Sequence, residues 1–169
     1  MTQFAPIGPF KVPTSKQPGG KTISGNNIDM FWERHSEYAE DVGCYVFAIR
    51  AGKGYTPIYV GKATKGFDSE AFASHKHAKY LQALAGYRKG TPVLFFISYP
   101  RTKKGATNKK HIAALEKLLI QQAALTNPRL LNIKNTSVPK WGIAGVVRST
   151  TRKRSKAAKE LRRALGFVG

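Results

Sequence analysis

The sequence predicts an α+β domain: a small, mainly antiparallel three-stranded sheet flanked by helices, with basic extensions at both ends. Three observations carry that prediction. Two β-rich runs, Gly43–Arg50 and Tyr55–Gly61, are joined by the short turn Ala51-Gly52-Lys53-Gly54 and read as a hairpin. A third apolar run, Val93–Tyr99, arrives only after a helical stretch and looks buried on both faces. The segment Lys110–Thr126 sets Ile112, Leu115, Leu118, Leu119 and Ala123 at helical spacing, and Asn127-Pro128 stops it.

The chain has 169 residues, which suits one domain with short appendages. Apolar residues make up 41%, enough for a core, so a wholly disordered chain is excluded. Lys and Arg number 29 against 9 Asp and Glu, a net charge of +20. A folded domain this basic repels itself unless it works beside a polyanion. Nucleic acid is the leading partner, DNA ahead of RNA. A membrane partner is not expected, because the apolar face of the tail is narrow and has no aromatic before Phe167. A single cysteine, Cys44, excludes an intramolecular disulfide framework and a cysteine-rich zinc site. No run approaches a membrane span and Met1–Lys21 lacks a signal-peptide core, so a soluble, cytoplasmic protein is expected.

In chain order, residues 1–27 read as an irregular basic arm. Pro6, Pro9, Pro13 and Pro18 break helices, and Lys11, Lys16 and Lys21 supply charge. The arm reads either as a disordered tail or as a segment that follows a nucleic-acid backbone. A helix is expected from Ile28 to Glu40, capped by Asn26 or Asn27. After the hairpin, Asp68 caps a predicted helix over Ser69–Ala85, ended at Gly86. Pro92 opens the third strand, and Pro100–Asn108 is a basic loop. Val138–Val147 reads as a short strand or loop, and residues 148–165 as a basic tail helix. The predicted organisation is thus an arm (1–27), a domain (28–147) and a tail (148–169).

Gly43-Cys44-Tyr45 opens the first hairpin strand, and Tyr59-Val60-Gly61-Lys62 closes the second. A helix with His75 and His77 follows, then one with Glu116, then Leu130-Leu131-Asn132. This ordered set resembles the GIY-YIG nuclease family over about Val42–Asn132, a little over half of the chain. The resemblance implies a metal-dependent endonuclease leaving a 3′-hydroxyl and a 5′-phosphate. It also implies that a helical Glu, here Glu116, holds one Mg²⁺ or Mn²⁺, and that Asn132 buttresses the site.

The chemistry is consistent with that implication. Phosphodiester hydrolysis needs an activated water, a base and charge neutralisation at phosphorus. Adjacent antiparallel strands can set Tyr45 and Tyr59 on one face. A phenol titrates near 10, so it needs cations nearby to act as a base. Tyr45 is therefore expected to activate water, with Tyr59, Lys62 and His75 assisting. Gly43 and Gly61 would let the backbone approach the phosphate. The competing reading is that both tyrosines simply pack on a sheet. Glu116 is the sole acid between Glu70 and Glu160, which suits a hard-cation ligand. Its competing reading is an intrahelical ion pair with Lys109, Lys110 or Lys117. Asn132 alternatively caps its own turn.

The middle helix departs from the family pattern, which has an Arg and then a His one turn later. With His75 at the His position, the Arg position falls on Ala71; with His75 at the Arg position, Lys79 takes the His position. Lys76 or His77 turned inward is a further arrangement. No arginine lies between Arg50 and Arg88, and Lys binds phosphate only as a point charge. On the surface, His75, Lys76 and His77 would instead lie beside nucleic acid. Arg148, Arg152, Lys153, Arg154, Arg162 and Arg163 in the tail are expected to touch phosphates, or else form a solvated charge run. A non-catalytic nucleic-acid-binding protein on the same scaffold is the alternative function. The sequence leaves the target and the oligomeric state open.

Overall fold

The computed structural model describes residues 1–100, 106–137, 141–149, 151 and 153–167. In chain order they form β1 (Ala5–Lys11), β2 (Ser15–Gln17), β3 (Gly20–Thr22), α1 (Gly25–Arg34) and a 3-10 turn at Ser36–Tyr38. Then come β4 (Gly43–Ala51), β5 (Gly54–Ala63), α2 (Phe67–Glu70), α3 (Ser74–Gly86), β6 (Thr91–Ser98), α4 (Lys109–Thr126) and α5 (Lys156–Ala164). The main sheet has the order β1-β6-β4-β5 and is antiparallel throughout.

The sheet therefore has four strands, not three, because the supposed arm supplies β1. Prolines are compatible with a strand that bonds on one side only, and β1 is an edge strand. It carries Pro6 and Pro9, and its register with β6 shifts between Ile7 and Phe10. Val12 and Ile23 are fully buried, and Ile7 and Phe10 pack on the core. Residues 15–22 form the small hairpin β2–β3. The arm is thus structured by long-range burial that local composition does not announce.

Two predicted helices change their limits. Ser24, not Asn26 or Asn27, caps α1: the Asn27 N–H donates to Ser24 Oγ at 3.3 Å, and Asn27 Oδ1 accepts from the Ser24 N–H at 2.8 Å. The helix predicted over Ser69–Ala85 is broken into α2 and α3, because Ala73 turns extended (φ −54°, ψ 146°). The break sends Phe67, Ala71 and Phe72 into the core.

The two faces of the sheet are covered differently. Tyr45, Phe47, Leu94 and Phe96 face α1, α2 and α3 and form the main core with Phe31, Phe67 and Tyr80. Val46 and Val60 face α4, where Ile120 and Ala123 form a smaller core.

Residues 1–137 form one compact unit and 138–169 a second. The second unit thus begins before residue 148. Within it, Ile143 and Val147 bridge a tight turn. The predicted tail helix is shorter than expected: Ser155 Oγ accepts from the Ala158 N–H at 3.1 Å, so helix starts only at Lys156. Arg148, Lys153 and Arg154 precede it, and Arg152 lies outside the described residues.

Candidate functional site

The site is built around the end of β5. In the β4–β5 register Tyr45 faces Gly61 and Phe47 faces Tyr59. Alternation then puts Tyr45 and Tyr59 on one face as diagonal neighbours, with ring centroids 6.5 Å apart. Gly61 is needed because the Tyr45 ring lies over it; a Cβ there would strike the Tyr45 Oη and Cζ. Gly43 (φ +150°) passes close under the Ile97 carbonyl. Both glycines are buried, and the close approaches that require them are to Tyr45 and to the Ile97 carbonyl.

At the break between α2 and α3 the Glu70 carbonyl keeps only a long bond from the Ala73 N–H, at 3.4 Å, and side chains supplement it and take up the Ala71 carbonyl. Lys76 Nζ donates to the Glu70 carbonyl at 2.8 Å, and Tyr45 Oη makes a long contact of 3.5 Å to the same oxygen. Tyr80 Oη donates to the Ala71 carbonyl at 2.6 Å, and its ring stacks on Phe47 with centroids 4.0 Å apart. The Glu70 carboxylate turns back to accept from the Thr64 and Lys65 N–H groups at 2.6 and 2.9 Å. Its other oxygen lies 3.9 Å from Lys76 Nζ, which sits 5.2 Å from the Tyr45 ring centroid.

Lys62 points to the opposite face, beside Cys44 and towards α4. Its Nζ pairs with Glu116 Oε2 at 3.0 Å; the side chains are 44% and 19% exposed. Glu116 therefore reaches across to β5 instead of pairing along its own helix with Lys109, Lys110 or Lys117. Cys44 Sγ donates to the Ile112 carbonyl at 3.4 Å, and burial, then Glu116, pushes its thiol up to about 12, with Lys62 opposing.

Asn132 holds the free edge of β5. Its Oδ1 accepts from the Val60 N–H at 2.9 Å, and its Nδ2 donates to the Val60 carbonyl at 2.8 Å. Asn127 Nδ2 donates to the Pro57 carbonyl at 2.7 Å, and the Leu131 N–H to the Ile58 carbonyl at 2.8 Å. The segment after α4 thus satisfies edge groups that would otherwise lack partners.

Electrostatics divides the cluster. Tyr45 has no exposed surface, and its phenol is raised well above the usual range, by burial first and then by Tyr80, Tyr59, Glu70 and Glu116. Burial, then Glu116, also raises Tyr59. Burial lowers Lys76, Glu70 and Glu116 oppose that, and Lys62 adds to it. Glu116 is thus felt on both faces of β5. In this arrangement Tyr45 is a neutral phenol.

Several expected site residues lie elsewhere. His75 is exposed, off the buried face of α3 made by Lys76, Tyr80, Ala83 and Leu84. His77 Nε2 bonds the Ile23 carbonyl at 2.7 Å and ties α3 to the segment after β3. Lys79 Nζ donates to the Leu131 carbonyl at 2.6 Å and lies 5.6 Å from the Tyr59 ring centroid. Lys76, expected on a nucleic-acid surface, is 7% exposed. In the second unit Lys153, Arg154 and Arg163 are exposed, with Arg163 paired to Glu160 at 2.8 Å. Arg162 donates to the Val146 carbonyl at 2.9 Å.

Sequence reasoning overlooked Tyr80 and the carboxylate of Glu70. The i, i+4 pair Lys76 and Tyr80, in line with Ala83 and Leu84, is the signal that points to the inward face.

Among the described residues no three His, Cys, Asp or Glu side chains come together in a way that could hold a metal ion. Glu116 offers a single hard, partly exposed carboxylate. That donor set fits a cation that keeps most of its own water, once Lys62 gives way. Comparisons of the chain with models of protein families, with curated proteins and with solved structures found no match.

Proposed function

We propose that the cluster at the end of β5 belongs to a metal-dependent endonuclease that hydrolyses phosphodiester bonds of DNA. The observation that carries the reading is that one strand, ending Tyr-x-Gly-Lys and braced by Asn132, carries the Lys62–Glu116 pair on one face and Tyr59 beside Tyr45 on the other. The resemblance to GIY-YIG nucleases supports it through the same residues. Water adds to phosphorus, the bond to the 3′ oxygen breaks, and that oxygen takes a proton. Mg²⁺ or Mn²⁺ held by Glu116 would supply charge neutralisation at the phosphate and the leaving oxygen.

The protein's own groups divide the remaining work. Lys62 is the exposed cation that meets the phosphate when its pair with Glu116 opens. Lys76, though it falls on neither Arg position that the family pattern offers, holds positive charge 5.2 Å from the centroid of the Tyr45 ring. Tyr59 is only half-buried and is the phenol nearer to solvent. Tyr45 activates water only if the bound phosphodiester relieves the burial that keeps it protonated. Lys76 replaces His75 among the assisting groups.

A non-catalytic nucleic-acid-binding protein on this scaffold is the second reading. The burial of Tyr45 and the occupation of Glu116 by Lys62 favour it. Incubation with supercoiled plasmid in Mg²⁺, Mn²⁺ or EDTA separates the two. The nuclease reading expects nicking that needs metal and is lost in Glu116→Ala and Tyr45→Phe. Retarded but intact plasmid in every lane, with branched and single-stranded substrates also uncut, would favour the binder.

A further inference from the structure

Trp141 is 65% exposed and lies in the second unit, which the catalytic reading does not use. The turn beside it is firmly built. The Ile143 N–H donates to the Val147 carbonyl at 2.8 Å, and the Gly145 N–H to Ser149 Oγ at 2.7 Å. Arg162 of α5 bonds the Val146 carbonyl at 2.9 Å, and a Cβ on Gly145 would lie 3.0 Å from that of Ala158. The turn is thus fastened to α5, and Arg148 follows directly after it.

Arg148 is held at φ +49°, a conformation that costs a non-glycine residue free energy. Its guanidinium carbon lies 4.8 Å from the centroid of the Trp141 ring. Its Nη1 is buried and has no hydrogen-bond partner among the described residues. An exposed indole, a left-handed arginine and an unmet donor do not serve the packing of the unit. Together they set a cation against an indole, most of which is open to solvent.

Nine Lys and Arg against one acid, Glu160, make residues 138–169 strongly basic. Charge complementarity therefore selects a polyanion. Bases within a duplex hide their faces, whereas an unpaired base offers a face to an indole or a guanidinium plane. We propose that Trp141 and Arg148 form a binding site for an unpaired nucleobase, so that this unit favours single-stranded DNA over duplex. The inference rests on nucleic acid as the partner but not on cleavage.

The test uses the full chain in EDTA, where no metal-dependent cutting occurs. Trp32 and Trp141 are the two tryptophans, so emission from the Trp32→Phe protein reports Trp141 alone. Oligothymidylate should quench that emission. In fluorescence anisotropy with labelled DNA, Trp141→Ala should weaken oligothymidylate binding about tenfold and duplex binding less than about twofold. Trp141→Phe, which keeps a ring, should retain most of the affinity. Unchanged emission while oligothymidylate binds, or equal losses on both DNAs, would overturn the site. Binding to neither DNA would overturn it together with the nucleic-acid reading, whereas failure to nick plasmid leaves it standing.

Discussion

Replacing Gly61 by alanine puts a Cβ against the Tyr45 ring, which has no free space to withdraw into. Overpacking of this kind typically costs about 1–3 kcal/mol. Gly61→Ala should therefore lower the denaturant midpoint clearly, whereas Gly52→Ala, with nothing near its Cβ, should pay only for its left-handed φ of +58°. Tyr45, Tyr59 and Tyr80 are all raised by burial. Above about pH 10 the unfolded chain releases phenolic protons that the folded state keeps, so stability is full below pH 10 and falls as pH rises beyond it. Lys76 works in the opposite sense, in a window just below its ordinary value, because burial lowers it. A tyrosine absorbance titration should accordingly show Tyr45 and Tyr80 ionising only with unfolding, and Tyr59 ionising later than the exposed tyrosines. At this scale the shared face of Tyr45 and Tyr59 was legible, because strand alternation is a local signal, whereas the pairing of Glu116 with Lys62 across to β5 was not. The sequence left the inward turn of Lys76 as one arrangement among several, since the choice depends on the Glu70 carbonyl that receives its ammonium where a helix breaks.

The same break explains which elements could be read ahead. The β4–β5 hairpin and α4 carry their own punctuation in glycines, Asn108 and Asn127-Pro128, and they appear within a few residues of expectation. The α2–α3 break has no proline or glycine to announce it and follows from where Phe67 and Phe72 must go. Strand β1 was obscured by its prolines, which signal a breaker locally but are harmless on an edge. The other edge depends on one side chain. Asn132→Ala removes both bonds to Val60 and leaves the edge N–H and carbonyl unmet, which should cost about 1–3 kcal/mol in thermal or denaturant unfolding. Asn132→Asp keeps the acceptor but sets a carboxylate oxygen against the Val60 carbonyl, so it should be no more stable than Asn132→Ala.

Charge is unevenly spread over the molecule. Seven of the nine acids lie between Asp29 and Glu70, and Glu37, Glu40, Asp41 and Asp68 line a hollow of about 530 Å³. That side of the first unit should turn away from a polyanion. With about six phosphates neutralised, DNA affinity should fall about a thousandfold between about 50 and 200 mM salt. A shallow salt slope would instead point to few ionic contacts. Among the described residues no helix is long and apolar enough to cross a membrane. The order of the sheet has a consequence for synthesis. Ala5 pairs with Ser98, so β1 leaves the ribosome long before β6 does. At about 5–20 residues per second the nascent strand waits roughly 5 to 20 seconds for its mate. During that wait Pro6 and Pro9 make it a poor template for neighbouring chains on a polysome, so the residues that disguise the strand in the sequence also protect it until the sheet can close.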